Sequence, residues 1–343
     1  MTGVRDNLPS VIPAKAGTHF DFALSGPNPA GTAPLLSPGT VPQPIAPPNR
    51  TRFSRSLPQL PPAGWAIMPA DLRNPSPPMN DLRITLIQGA TRWHDPAGNR
   101  DYYGELIGQA QGITDLVLLP ETFTSGFSND AIGNAETMDG PTVAWIREQA
   151  AKLGAAVCGS VQLRTDGGVF NRLLFATPDG GLQTYDKRHL FRYAKEHERY
   201  AAGRERLTVE WKGWRICPQV CYDLRFPVFS RNRYDVERPG ALDYDLLLYV
   251  ANWPSARAYP WKTLLRARAI ENLCYVAGLN RVGSDGNGLH YSGDSAVIDF
   301  LGQPISECTD EEVVVTTTLQ AAELAAHRER FPAMLDGDAF DLR

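Results

Sequence analysis

From Met79 onward the chain alternates short apolar runs with amphipathic stretches. Leu82–Gln88 predicts a first strand, and Asp101–Gln111 places Tyr103, Leu106, Ile107 and Ala110 on one helical face. Asp115–Leu119 is a short apolar strand ending at Pro120-Glu121. Pro141–Leu153 predicts a helix with proline in its first turn. Strands follow at Ala155–Gln162, Val169–Ala176 and Leu182–Asp186, the last two joined by a turn at Pro178-Asp179-Gly180-Gly181. Lys212-Gly213 separates Leu207–Trp211 from Trp214–Val220 as a hairpin. Asp245–Ala251 predicts a strand, Trp261–Asn272 a helix, and Cys274–Asn280, Asp294–Asp299 and Val313–Leu319 further strands before a helix at Gln320–Arg330. Strands alternating with helices, with hairpins interspersed, predict an α/β fold with mixed sheets in one domain.

The first 78 residues read differently. Seventeen of the 28 prolines lie before Met79. Proline removes a backbone donor and fixes φ, which predicts a disordered extension at 1–78, a folded domain at 79–335 and a short tail at 336–343. No basic segment leads into a short apolar core, which argues against a secretory signal. Prolines beside Arg50–Arg55 leave little room for an amphipathic transit helix. Met79, which immediately precedes the first strand, is expected to be the native start.

Composition narrows the function classes. A net charge of −4 gives no footprint for nucleic acid or an anionic membrane. No apolar run approaches the roughly 20 residues that span a bilayer. Five cysteines without dense spacing argue against a disulfide scaffold and for a reducing, cytoplasmic setting.

The chemistry-bearing stretch is Cys217-Pro218-Gln219-Val220-Cys221-Tyr222-Asp223, where the strand from Trp214 gives way to a helix predicted over Leu224–Asn232 with Asp223 as N-cap. A tight turn there lifts the Cys221 sulfur out of the sheet, and a helix N-terminus favours a thiolate. Taken alone the stretch favours a packed cysteine, since free cysteine is among the most buried residue types. Two other strand ends change that. Glu121 abuts the apolar strand before it, where partial desolvation raises a carboxyl toward general-base range, and Lys187 follows Leu182–Asp186. A carboxylate to take a thiol proton, an ammonium to hold an oxyanion and a thiol to attack make a catalytic set.

Competing sets are weaker. A Cys/His protease arrangement has only His290 and His327 downstream, neither in a persuasive motif. Cys217-x3-Cys221 lacks a second ligand pair for zinc, and Cys217, Cys158 and Cys274 read as packed. There is neither a Walker loop nor a dinucleotide fingerprint.

Leu118-Leu119-Pro120-Glu121-Thr122-Phe123, Tyr185-Asp186-Lys187-Arg188-His189-Leu190-Phe191 and Cys217–Pro227 resemble, in order, the glutamate, lysine and cysteine motifs of the nitrilase or carbon–nitrogen hydrolase superfamily. Val250–Pro254, Arg266–Asn272 and Tyr291–Ser295 are similar to its later segments. The resemblance implies a four-layer α-β-β-α sandwich, homodimer formation and catalysis without a cofactor or metal. It implies Glu121 as base, Cys221 as nucleophile, Lys187 and the Tyr222 N–H as oxyanion donors, and a second glutamate at Glu196, counted back from Gly203, with Glu198 as the fallback. The wording is nearest the omega-amidase branch, which cleaves the terminal amide of 2-oxo acid monoamides such as 2-oxoglutaramate. N-carbamoyl amidase and nitrilase chemistry are the enzymatic alternatives, and an assembly module the non-enzymatic one. Arg192, Lys195 and Arg199 are candidates for a substrate carboxylate, with Phe123 and Trp253 as pocket walls.

Overall fold

The computed structural model describes residues 79–235 and 242–342. The expected N-terminal extension lies outside them. Fourteen strands run in chain order: β1 Leu82–Gln88, β2 Leu116–Leu118, β3 Ala156–Thr165, β4 Gly168–Ala176, β5 Leu182–Asp186, β6 Val209–Trp211, β7 Trp214–Val220, β8 Leu246–Ala251, β9 Tyr275–Asn280, β10 Val282–Ser284, β11 His290–Ser292, β12 Ala296–Ile298, β13 Pro304–Glu307 and β14 Val313–Leu319. The α-helices are α1 Pro96–Gly108, α2 Ala131–Asn134, α3 Pro141–Leu153, α4 Pro227–Ser230, α5 Ala258–Asn272 and α6 Ala321–Arg330.

The strands form two six-stranded mixed sheets of matching design, ordered β14-β1-β2-β3-β4-β5 and β13-β12-β9-β8-β7-β6. In the first, β1, β2 and β3 are parallel, with antiparallel partners outside them. In the second, β7, β8 and β9 are parallel and flanked likewise. β10 and β11 form a separate hairpin.

Alternation along the central strands assigns the layers, because successive side chains leave a strand on opposite faces. Leu116 and Leu118 of β2 join Ile84, Leu86, Ile216 and Val220 in a core that also holds Trp261, Leu265 and Ala269 of α5. Val117 between them faces the other way, into a core with Ile107 of α1 and Val143, Ile146 and Ala150 of α3. The order is therefore helices α1 and α3, sheet, sheet, helix α5: the expected α-β-β-α sandwich.

Several expected bounds shift for local reasons. α1 starts earlier than the periodicity suggested, because Asp95 caps it through the Gly98 N–H and Pro96 fits its first position. The helix expected over Leu224–Asn232 does not form. Residues Cys221–Arg225 make a 3-10 turn, and only Pro227–Ser230 is α-helical. Asp223 is not an N-cap; its carboxylate reaches back to the Val220 N–H at 3.0 Å.

Candidate active site

Parallel strands present their carboxyl ends on one side, and three of those ends meet here. β2 runs into Glu121, β7 into Cys221 and β8 into Asn252; Lys187 follows β5. Both turns are tight: Thr122 has φ 43° and Cys221 φ 44°, left-handed values that a non-glycine residue keeps only where its surroundings fix it. At Cys221 that conformation projects the side chain off the end of β7.

Glu121 is wholly buried. Its Oε1 accepts from Lys187 Nζ at 2.9 Å and Asn171 Nδ2 at 2.8 Å. Its Oε2 accepts from the Asn252 backbone N–H at 2.8 Å, while Asn252 Nδ2 donates to the Glu121 carbonyl at 2.6 Å. Lys187 also donates to Glu196, at 3.1 and 3.0 Å. Glu196 further accepts the Phe191 N–H, so it ties the lysine to the loop that walls the site. Glu198 is exposed, and its carboxylate is not part of this cluster. Gly203 closes the loop from Lys187: its N–H donates to the Lys187 carbonyl, and a Cβ there would lie 2.0 Å from the Asp186 carbonyl oxygen.

Burial opposes a charge on Lys187, but Glu121 and Glu196 outweigh it and hold the ammonium well above the ordinary lysine range. Burial pushes the Glu196 carboxyl above the usual range, against the pull of Lys187. Burial, reinforced by Glu121 and opposed by Lys187, pushes the Cys221 thiol well above its ordinary range. Burial thus favours the neutral thiol. The expectation that a helix N-terminus makes it a thiolate is corrected by its burial, at 9% exposure, on a five-residue 3-10 turn.

Asp223 is the residue whose place the sequence misjudged most usefully. Its buried carboxylate accepts from the Val220 N–H, from Tyr185 OH at 2.7 Å and from the His189 N–H at 2.9 Å, and pairs with His189 Nδ1 at 2.7 Å. Tyr185 and His189 bracket Lys187, so one carboxylate joins the lysine segment to the cysteine turn. Asn171 and Asn252 gave no signal in the sequence: Asn171 sits beside Arg172 within β4, and Asn252 follows the apolar β8.

These residues open on a cavity of about 210 Å³ lined by Glu121, Lys187, Cys221, Tyr222, Asn252 and Trp253, with Phe127, Phe191 and Tyr193 among its aromatic walls. Phe123 does not reach it; it is buried against Tyr103 and Trp145 on the opposite face of its sheet. Arg192, Lys195 and Arg199 are exposed and do not line it either. The arginines that do are Arg225 and Arg257, the first 5.0 Å over the Trp253 ring and the second 5.4 Å over the Phe191 ring. Their positions beyond Cys221 and Trp253 gave no periodic signal. Among the described residues no group of three or more His, Cys, Asp or Glu side chains could hold a metal ion.

The carbon-nitrogen hydrolase family profile matches residues 83–329. Omega-amidase YafV of Escherichia coli strain K12 is 48% identical over 267 residues, covering 77% of this chain and all of the relative. The 2-oxoglutaramate amidase of Bacillus subtilis is 35% identical, covering 74% of this chain and 96% of its own. A crystal structure of a CN-hydrolase superfamily protein from Xanthomonas campestris, described with an arsenic adduct in its active site, is 77% identical. It covers 77% of this chain and 100% of its own, with a TM-score of 0.76. Fold and cavity thus define an α-β-β-α enzyme with a cysteine at a strand end. The chain belongs to the carbon–nitrogen hydrolase family, whose members hydrolyse carbon–nitrogen bonds.

Proposed function

We propose that this protein is an omega-amidase that releases ammonia from the terminal amide of small 2-oxo acid monoamides, 2-oxoglutaramate being the model substrate. The family and the relatives named omega-amidase and 2-oxoglutaramate amidase support the reaction class. The observation that carries the substrate class is the cavity's cations. Arg225 lines the same small cavity as Cys221 and makes no ion pair among the described residues, which leaves it free for a substrate carboxylate.

Glu121 takes the Cys221 proton as the sulfur attacks the amide carbonyl, forming a C–S bond and an oxyanion. Lys187 Nζ and the Tyr222 N–H receive that oxyanion. The second residue of a helical turn has no intrahelical acceptor for its N–H, so the donor is available. Collapse breaks the C–N bond, and Glu121 passes the proton to the departing ammonia. Water then attacks the thioester with Glu121 as base again, giving the carboxylic acid and restoring the thiol. Glu196 acts through Lys187, holding it charged and in place. Trp253 supplies an apolar wall.

The same reading takes 79–335 as the hydrolase domain and 336–343 as a tail. It places the enzyme in the cytoplasm, supported by five unpaired cysteines, and as a homodimer, supported by the exposed Tyr259 and Ile270 of α5. No helix among the described residues is long and apolar enough to cross a membrane.

The test is ammonia release from 2-oxoglutaramate, an N-carbamoyl amine and a nitrile, by wild type and Cys221→Ala. Turnover of the 2-oxo acid amide, lost in the variant, is expected. Turnover confined to the carbamoyl compound or the nitrile would move the enzyme to another branch of the family.

A further inference from the structure

Two guanidinium groups, those of Arg225 and Arg257, line the cavity beside Lys187. Lys187 is already paired with two glutamates, and a single guanidinium such as that of Arg225 suffices for a carboxylate through a bidentate fork. That leaves Arg257. It sits in the 3-10 turn Ser255–Arg257 just before α5, half-buried, with its guanidinium over Phe191 and no carboxylate partner among the described residues. Its backbone is fixed from two sides. Its N–H donates to the Pro254 carbonyl, and its own carbonyl accepts Trp253 Nε1 at 2.7 Å. Trp253 is the ring on which Arg225 lies, so the two arginines belong to one rigid unit, Arg225–Trp253–Arg257. Among the described residues Glu121 is the only carboxylate lining the cavity, and its oxygens are committed to Lys187, Asn171 and Asn252.

We propose that Arg257 is a specificity-determining residue whose uncompensated guanidinium selects amides bearing a 2-oxo group and rejects amino acid amides bearing a 2-ammonium. The proposal rests on the omega-amidase reading and refines it. A 2-oxo acid offers a neutral acceptor oxygen beside its carboxylate, which gives a second guanidinium a hydrogen-bond partner. Glutamine, with the same chain length and terminal amide, puts an ammonium at that position and meets like charge. Two unit charges about 5 Å apart at an effective protein dielectric of about 20 account for roughly 10²-fold discrimination.

The experiment compares kcat/KM for 2-oxoglutaramate, for glutarate monoamide (same length, no 2-oxo group) and for glutamine, using wild type, Arg257→Lys, Arg257→Gln and Arg257→Glu. The ratio of 2-oxoglutaramate to glutamine is expected to fall ~10²-fold in Arg257→Gln and further in Arg257→Glu, carried by KM rather than kcat. Arg257→Lys, which keeps the charge, should retain most of the ratio. Thermal unfolding of each variant shows that the fold persists, and the ratio is independent of how much enzyme is active. An unchanged ratio in Arg257→Gln and Arg257→Glu would overturn the proposal while the omega-amidase reading stands. Absence of turnover of 2-oxoglutaramate by wild type would overturn that reading itself.

Discussion

Replacing Lys187 with methionine keeps most of the side-chain volume and removes the charge, so it separates the electrostatic role of this residue from packing. Three charge-assisted hydrogen bonds disappear, one to Glu121 and two to Glu196. Losing one oxyanion donor costs about 2.7–4 kcal/mol of transition-state stabilisation, or ~10²–10³ in kcat. Two buried carboxylates are also left without their cation, which costs about 3–5 kcal/mol of stability near neutral pH. The two losses differ in pH dependence. Lys187 holds its proton more tightly in the fold than in the unfolded chain. Its contribution is therefore fully present below the ordinary value of 10.5 and is lost only as pH rises through the higher folded value. In the variant, Glu196 is raised further above its unfolded value, so its penalty is greatest at neutral pH and fades as acidification protonates it. The stability gap between wild type and variant should thus narrow from about pH 8 to about pH 5, while kcat stays low throughout. Urea denaturation at both pH values and steady-state ammonia release measure the two effects. Turnover within threefold of wild type, or a gap that widens on acidification, would refute the reasoning.

Removing Asp223 should loosen the joint between the lysine segment and the cysteine turn. Asp223→Ala strands the Val220 and His189 N–H groups and Tyr185 OH, at about 1–3 kcal/mol each if they stay dry. We expect kcat to fall at least ~10-fold with KM little changed, and Asp223→Asn to recover part of it; equal loss in both would make the role one of charge. Asn171→Leu should lower kcat by roughly tenfold or more by freeing the Glu121 carboxylate, and kinetics at wild-type level would remove Asn171 from the site. At acid pH the limiting groups include Asp115. Burial alone would raise its carboxyl, but Arg83 and Lys212 outweigh that and hold it well below the usual range. It contributes stability above its ordinary value that is lost as pH falls through the folded one, so Asp115→Asn should flatten the acid limb of a stability–pH curve.

Local pattern sufficed for elements whose neighbours do not alter them. Pro141–Leu153, Leu182–Asp186, Trp214–Val220 and Val313–Leu319 have the bounds their hydrophobicity predicts. It failed after Cys221, because the apolar spacing of Leu224, Phe226 and Phe229 reflects burial around a turn clamped by Asp223, not one continuous helix. Glu121, Lys187 and Cys221 could be picked out because each lies at a strand end, Glu196 only through the resemblance to the family, and the fold brings the four together. Asn252 and Asp223 depend on contacts across the sheet interface, and Asn171 on the end of β2 in its own sheet, about which a single sequence is silent. The pocket walls show the same limit. Phe123 packs with Tyr103 and Trp145 because the turn after Glu121, with Thr122 in a left-handed conformation, carries it to that side of the sheet, and Arg192 is exposed on its 3-10 turn.

The mechanism requires the reaction to pass through a thioester on Cys221. Intact-mass measurement of enzyme mixed rapidly with 2-oxoglutaramate and quenched in acid tests it most directly. An adduct of the substrate mass less ammonia is expected, mapped by peptide digestion to Cys221, absent in Cys221→Ala and longer-lived in Glu121→Gln. Turnover at the wild-type rate by Cys221→Ala, or an adduct on any other residue, would contradict it.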